Sequence, residues 1–349
     1  MKSALIVGGS GLVGGHLRQE LLARGGWSVT ATQRAAPPRQ PGDHRIVRLD
    51  LLDPASIARA MDETPQVSHV FFLARVWRPG YVIERDENTL VLERLLDRLQ
   101  DRPELEHIQL IHGLKWYGSV QGPFRTPARE TDPVAGRHFY YEQRVLLDAR
   151  RQGRPWHWST LRPHCVSGVA LGSPSNVMLG MAVYATLMKA SGKPLAFPGS
   201  EAAFAARLNY TDARLLARAM AWAATAPGAR DQDFNIANGD TFSWRQVWPA
   251  IARYFGMEAA PAHPVNLSRD MPALASAWRS LAARHDLAEA DPARLVDWNF
   301  MDATLALAWD QPMSLEKIRA HGFTETVHTP AMILDIFDAY RRLRILPLP

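Results

Sequence analysis

The chain opens on Ser3 to Gly14, Ser-Ala-Leu-Ile-Val-Gly-Gly-Ser-Gly-Leu-Val-Gly, where an apolar run feeds glycines at positions 8, 11 and 14. That spacing suits the binding of a pyrophosphate. Gly8 permits a tight turn, Gly11 lets the backbone approach the anion, and Gly14 lets the following helix pack close to the strand. The N-terminus of that helix then faces the negative charge. Ser10, Leu12 and Val13 complete the contact set expected of the loop. A glycine-rich turn also serves plain strand-to-helix packing, so its context has to decide.

Leu12, Val13, Leu17, Leu21 and Leu22 recur at helical spacing, Gly25-Gly26 supplies a stop, and Trp27 to Thr32 reads as a second strand. At the end of such a strand, dinucleotide binders that prefer NAD place an acid on the ribose hydroxyls. Here stand Gln33 and Arg34, with no carboxylate between Glu20 and Asp43. Nothing there repels a 2′-phosphate, and Arg34 offers it a charge-assisted contact, so the cofactor expected is NADP(H). The proline-rich stretch Ala35 to Pro41 is placed to cover an adenine. Asp50 and Leu51 are expected as adenine contacts after the third strand, and Leu73-Ala74 as the floor of a nicotinamide site after the fourth.

The elements that must position these residues follow from alternation. Strand-like runs recur at Ile46–Leu49, Val70–Leu73, Ile108–Ile111 and Ser159–Leu161, separated by helical patterns such as Glu87–Leu99, with Asp53-Pro54 as a helix start. This predicts an α/β fold, a Rossmann-type doubly wound parallel sheet. Past Pro163, glycines and prolines punctuate a segment holding a Met-rich helix at 177–188, which reads as an excursion into a lid. The chain is expected to return to the sheet through a helical stretch, Tyr210 to Ala226, and a strand, Phe234 to Ala237. Residues 1–165 and about 205–240 therefore form the cofactor domain. Residues 166–204 and about 241–349 form a smaller, mostly helical substrate cap. Met178, Met181, Phe197, Phe204, Trp222, Trp244 and Trp248 would suit an apolar ligand, although large apolar side chains are mostly buried for packing.

At 349 residues and 47% hydrophobic content the chain can bury such a core. A single cysteine, Cys165, excludes an internal disulfide framework, and no Cys/His cluster has metal-ligand spacing, so no metal and a reducing cytoplasm are expected. The longest late apolar run, Val177 to Met188, is too short for a bilayer, and no signal peptide is apparent, so no membrane role is expected. The net charge of +5 is carried by arginines spread over the sequence rather than gathered in an arm, which argues against nucleic acid.

Short-chain dehydrogenases usually present a Tyr with a Lys four positions later, the lysine helping the phenol trade a proton. Here Tyr140 is followed at that spacing by Arg144, and the segment Ile111-His112-Gly113-Leu114-Lys115-Trp116-Tyr117-Gly118 carries a lysine in place of the usual serine or threonine. Together with Arg-His-Phe-Tyr-Tyr-Glu-Gln at 137–143, Thr160-Leu161-Arg162-Pro163, the segment from Val183-Tyr184-Ala185 to Pro198-Gly199, and Phe234 to Asp240, the chain resembles the progesterone 5β-reductase and iridoid synthase family. The likeness continues through Trp244 to Trp248 and His321-Gly322-Phe323 and so covers nearly the whole chain.

The resemblance implies that Tyr140 is the catalytic phenol and Lys115 its partner. His112, Tyr140, Pro163 and Val166 are expected cofactor contacts on the same side. It also implies conjugate addition: hydride from NADPH to the β-carbon of a small apolar enone or enal, with Tyr140 and Lys115 stabilising the enolate. A monomer or homodimer in the cytoplasm would be the family's usual state. The loop after Lys115 is shorter than in the plant enzymes, Trp116 stands for a histidine, and His164 follows Pro163 in place of glycine. Two other readings remain: a carbonyl reductase or epimerase of the extended short-chain type, and a non-catalytic NADP-sensing regulator.

Overall fold

Residues of the first strand, β1 (Lys2–Val7), alternate between two cores: Ala4 and Ile6 join one, Leu5 and Val7 the other. A strand buried on both faces reads as a continuous apolar run, which is how Ala-Leu-Ile-Val declares itself central in a parallel sheet. The computed structural model describes residues 1–34, 44–78, 81–173 and 175–348. The proline-rich stretch Ala35 to Pro41 therefore lies outside the described residues, and its expected cover over an adenine with it.

Six further strands complete the sheet: β2 (Trp27–Gln33), β3 (His44–Arg48), β4 (His69–Phe72), β5 (His107–Ile111), β6 (His157–Pro163) and β7 (Gln232–Ile236). All pair in parallel in the order β7-β6-β5-β4-β1-β2-β3, so the direction of winding reverses between β1 and β4. Helices α1 (Leu12–Arg24) and, after β6, Ala213–Ala223 pack together on one face. Helices α2 (Pro54–Asp62), α3 (Tyr81–Leu99) and α4 (Phe139–Arg151) cover the other. The expected Rossmann architecture is the observed one. The largest boundary difference is α3, which begins at Tyr81 rather than near Glu87, because the polar run Glu84 to Asn88 separates Tyr81-Val82-Ile83 from the apolar periodicity that starts at Leu90.

A third core is built from the segments 177–210 and 242–346. Its centre is α5 (Val177–Ala190), in which every residue from Val177 to Met188 is buried. The expected lid helix is thus a core helix. Gly180 lies so close to Met301 that an added methyl would stand 2.4 Å from its sulfur. Phe197, Phe204, Trp244 and Trp248 pack on one another, with Phe197 and Phe204 stacked at 5.0 Å. Trp222 instead packs on Phe234 and Phe323 beside the sheet. Large aromatics in this region are chiefly core.

The glycine loop owes its shape to contacts. Gly8 sits at φ +93°, and a methyl on Gly14 would stand 2.4 Å from the Gly8 carbonyl oxygen. Gly9 is equally constrained, since its added methyl would meet the Ala31 side chain at 2.6 Å. Gly14→Ala is therefore expected to destabilise the protein by about 1–3 kcal/mol. Gly15→Ala, whose methyl meets nothing within 4 Å, should be neutral or stabilising by up to about 1 kcal/mol. Urea unfolding of the two variants side by side checks the contrast.

Candidate active site and cofactor cleft

A cleft of about 460 Å³ opens at the C-terminal ends of β1 to β4, where the sheet reverses its winding. Crevices at this reversal are where open α/β sheets bind ligands. Gly8, Ser10 and Gly11 form one wall, Gln33 and exposed Arg34 another, and Asp50, Leu51, Leu73 and Ala74 line the rest. The backbone N–H of Gly8 donates to Thr32 Oγ1 (3.2 Å) and that of Gly9 to the Thr32 carbonyl (3.0 Å), tying the loop to the end of β2. The Asp50 carboxylate accepts the Leu52 N–H at 3.0 Å, so one of its oxygens shapes its own turn.

Of the other expected cofactor contacts, Leu12, Val13 and Gly14 continue into α1 behind this wall, and Val166 pairs with Thr211 beyond β6. They do not line the cleft. Thr32, Leu49, Arg75, Val76, Trp77 and Arg78 do line it, though no sequence motif marks them. What could have flagged Arg75 to Arg78 is their position directly after a strand that feeds the reversal point.

The candidate chemistry lies next along the sheet. Tyr140 is in the first turn of α4, capped by His138, and Lys115 is in a single 3₁₀ turn, Leu114–Tyr117, that follows β5. A methyl built on Gly113 would stand 3.4 Å from the Tyr140 hydroxyl and 3.6 Å from the Pro163 carbonyl oxygen. The phenol therefore sits at the ends of β5 and β6, and a side chain at 113 would crowd it. Among the described residues neither the Tyr140 hydroxyl nor the Lys115 amine has a protein hydrogen-bond partner, and none joins the two.

Burial raises the Tyr140 phenol above its ordinary range, opposed by the nearby Arg75 charge and aided by Glu84. Burial lowers Lys115, with Arg75 adding to the effect and Glu84 opposing it. The two groups thus share the same charged neighbours. The His138 ring lies 5.4 Å from that of Tyr140, and burial together with Lys115 lowers its imidazole to about 4. His112, 2% exposed, packs 5.0 Å from the Tyr140 ring and 5.7 Å from that of Trp116, with neither ring nitrogen hydrogen-bonded. Burial holds it neutral too.

Arg144, which stands where short-chain dehydrogenases usually carry lysine, is turned to other work. It pairs with Asp233 of β7 at 3.2 Å and with Asp148, and lies 3.5 Å over the Trp158 ring. Arg162, 1% exposed, donates to the Tyr117 hydroxyl (3.0 Å), pairs with Asp233 (3.3 Å) and lies 3.9 Å over the Trp116 ring. It clamps the two residues that directly follow Lys115 in that turn. His164 is held by Thr211, whose hydroxyl donates to its carbonyl at 3.0 Å, and burial lowers its imidazole to about 4. Among the described residues no cluster of His, Cys, Asp and Glu could hold a metal, and no helix is long and apolar enough to cross a membrane.

The chain matches a family model described as a PRISE-like Rossmann-fold domain over residues 50–347. It is 28% identical to a 3-oxo-Delta(4,5)-steroid 5-beta-reductase of Arabidopsis thaliana, covering 99% of this chain and 93% of that protein. It is 30% identical to an (S)-8-oxocitronellyl enol synthase of Nepeta cataria, covering 92% of this chain and 85% of that one. Among solved structures, a Thermus thermophilus UDP-glucose 4-epimerase in complex with NAD superposes with a TM-score of 0.66 at 20% identity, over 97% of this chain and 99% of that chain. An Agrobacterium tumefaciens short-chain dehydrogenase/reductase superfamily protein with bound NAD reaches 0.68 at 18% identity, over 98% of each. The family model takes in β4 to β7 and the whole of the segments bearing Lys115 and Tyr140, the curated relatives extend the likeness over nearly the whole chain, and the chain accordingly belongs to the PRISE-like Rossmann-fold family, as an oxidoreductase of the short-chain dehydrogenase/reductase type.

Proposed function

We propose that this enzyme reduces the activated carbon–carbon double bond of small apolar enones or enals by 1,4-addition, using NADPH. The observation that carries the reading is the Tyr140 hydroxyl, which has no hydrogen-bond partner among the described residues, lies at the ends of β5 and β6, and shares charged neighbours with Lys115. The cleft fits a dinucleotide: Gly8 and Gly11 leave backbone exposed at the start of α1, and no acid occupies the end of β2. Arg34 would hold the 2′-phosphate, Asp50 and Leu51 would flank the adenine, and Leu73 and Ala74 would lie under the nicotinamide.

When bound, the reduced cofactor supplies a hydride to the substrate β-carbon. The π electrons move to the carbonyl oxygen, and the chain's task is to stabilise the enolate that results. Tyr140, kept protonated by burial, donates its O–H to that oxygen, and the Lys115 ammonium adds positive charge beside it. A proton from water then returns to the α-carbon. The names of the two relatives, a reductase of 3-oxo-Δ(4,5)-steroids and an enol synthase, are consistent with an enolate held in this way. The engagement of Arg144 with Asp233 argues against the Tyr-x-x-x-Lys chemistry of carbonyl reduction or epimerisation. The cap in this reading is 166–204 with about 241–349, supported by the separate core of these segments, and the remainder is the cofactor domain.

The test is NADPH consumption with cyclic enones, open-chain enals and steroid enones, with product analysis. Saturated carbonyl products are expected. Allylic alcohols would replace this reading with carbonyl reduction, and tight NADPH binding with no turnover on any substrate would favour a sensor. In the same assay Arg34→Glu is expected to reverse the preference from NADPH to NADH, and a variant that still prefers NADPH would remove Arg34 from the 2′-phosphate site.

A further inference from the structure

The segment between β4 and α3 carries charges that the proposed reaction leaves unused. Arg75 lines the cleft, and its Nε and Nη2 lie 2.7 Å and 2.6 Å from Oε1 of Glu84 in the first turn of α3. Glu84 is only 12% exposed. On its other side the guanidinium carbon lies 5.6 Å from the centroid of the Phe139 ring, which in turn lies 4.4 Å from the ring of Tyr140. The backbone carrying Arg75 is fixed: the fully buried Asn88 accepts the Val76 N–H at 2.8 Å and donates to the Val76 carbonyl at 2.6 Å. Gln143 of α4 in turn donates to the Asn88 carbonyl at 2.9 Å, locking α3 to the helix that bears Tyr140.

We propose that Arg75, anchored by Glu84, is a positioning residue of this site: an oriented ion pair whose positive end faces Tyr140 and Lys115 and favours negative charge forming on the substrate oxygen beside them. This rests on the reading of Tyr140 and Lys115 given above. The guanidinium packs on the Phe139 ring, which itself packs on Tyr140, so it is the cationic end of the pair that lies against the first turn of α4, and its effect on Tyr140 and Lys115 outweighs that of Glu84. A fixed dipole costs no reorganisation when charge develops, which is why it acts on the transition state. Its cationic end also disfavours the charged form of Lys115, and Glu84 limits that effect. Of the other titratable groups, His112 after β5 and His138 before α4 lie against the Tyr140 ring and are held neutral by burial, and Arg162, against the Trp116 ring, is engaged by Asp233. Neither histidine changes charge between neutrality and the alkaline range.

The chain has five lysines, Lys2, Lys115, Lys189, Lys193 and Lys317, so reductive methylation with ¹³C-formaldehyde gives a readable set of resonances. Lys115 is assigned by its loss in Lys115→Arg. Titrated in the full-length protein, the Lys115 midpoint should move up in Arg75→Gln, down in Glu84→Gln, and stay near the parent's in Arg75→Lys, while the other four lysines hold still. The alkaline limb of kcat/KM for enone reduction should move in the same senses, with kcat of Arg75→Gln lower by about tenfold. Midpoints that stay put in both variants, or move the same way, would overturn the proposal. Because the resonances need no turnover, a parent enzyme that reduces no enone would defeat the reading of the reaction while leaving the ion pair's effect on Lys115 measurable.

Discussion

Tyr140→Phe is expected to lower kcat for enone reduction by about 10²–10³-fold while NADPH binding, followed by fluorescence, changes little. The phenol ring packs against His112, His138 and Phe139, and phenylalanine retains all of that surface. What is lost is one donor aimed at an oxygen that becomes negative only as the reaction proceeds, so the loss falls on kcat rather than on binding. Lys115→Met should cost a similar factor, and the double variant should be little worse than either single one if the two act on the same oxygen. The pH profile carries the sign. Lys115 is a cation below its pKa, and burial has moved that pKa down from the ordinary lysine value. Activity should therefore fall as pH rises through the depressed value, giving an alkaline limb that Lys115→Met lacks. The Tyr140 phenol is shifted the other way and stays protonated through neutrality. Single variants that both reduce enones within a few-fold of the parent would remove the two residues from the mechanism.

Arg162→Met should be the most damaging change away from the cleft, with an expected loss of about 3–5 kcal/mol in urea unfolding. Arg162 is 1% exposed, and its partners include the Tyr117 hydroxyl, the Asp233 carboxylate, the Glu130 carbonyl and the Trp116 ring. Burial pushes Asp233 up, but Arg162 and Arg144, with the Thr160 hydroxyl donating to it, hold it below the ordinary aspartate value. A carboxylate depressed in the folded state contributes stability above its unfolded pKa and loses it as pH falls through the folded one. In the parent that contribution persists at neutral pH and fades only in acid, below the usual aspartate range. In Arg162→Met it should be smaller at neutral pH and absent in strong acid as in the parent, flattening the acid limb of the stability curve. The same variant frees the turn that carries Lys115, so its activity should drop more than its folded fraction does. An unfolding free energy within about 1 kcal/mol of the parent's would mean that Arg144 alone suffices for Asp233.

Much of this was legible in the chain itself. The continuous apolar run of Ala4 to Val7 and the glycines at 8, 11 and 14 specify a central strand turning into a helix, because both depend on local steric rules that spacing encodes. The same rules announced the parallel sheet, and motif likeness pointed to Tyr140 and Lys115. Less legible was the start of α3 at Tyr81, since the polar run Glu84 to Asn88 cuts Tyr81-Val82-Ile83 off from the periodic signal of the later turns. That the Met-rich helix forms the buried centre of its region rather than an outer cover is not legible either, because apolarity alone does not tell a core helix from a cover. Its partners, Trp248, Met301 and Tyr340, come from segments far along the chain.

What the chain determined unaided, then, is the cofactor-type loop, the winding of the sheet and the pair of residue types offered for chemistry, since each lies within a few neighbouring positions. Only the tertiary structure decided what surrounds them. Arg144 was drawn to Asp233, Arg162 was buried between Trp116 and Tyr117, and Arg75 with Glu84 was brought against the first turn of α4. Charges act through space at distances set by packing, and no spacing along a sequence states which of forty basic side chains will stand beside one phenol.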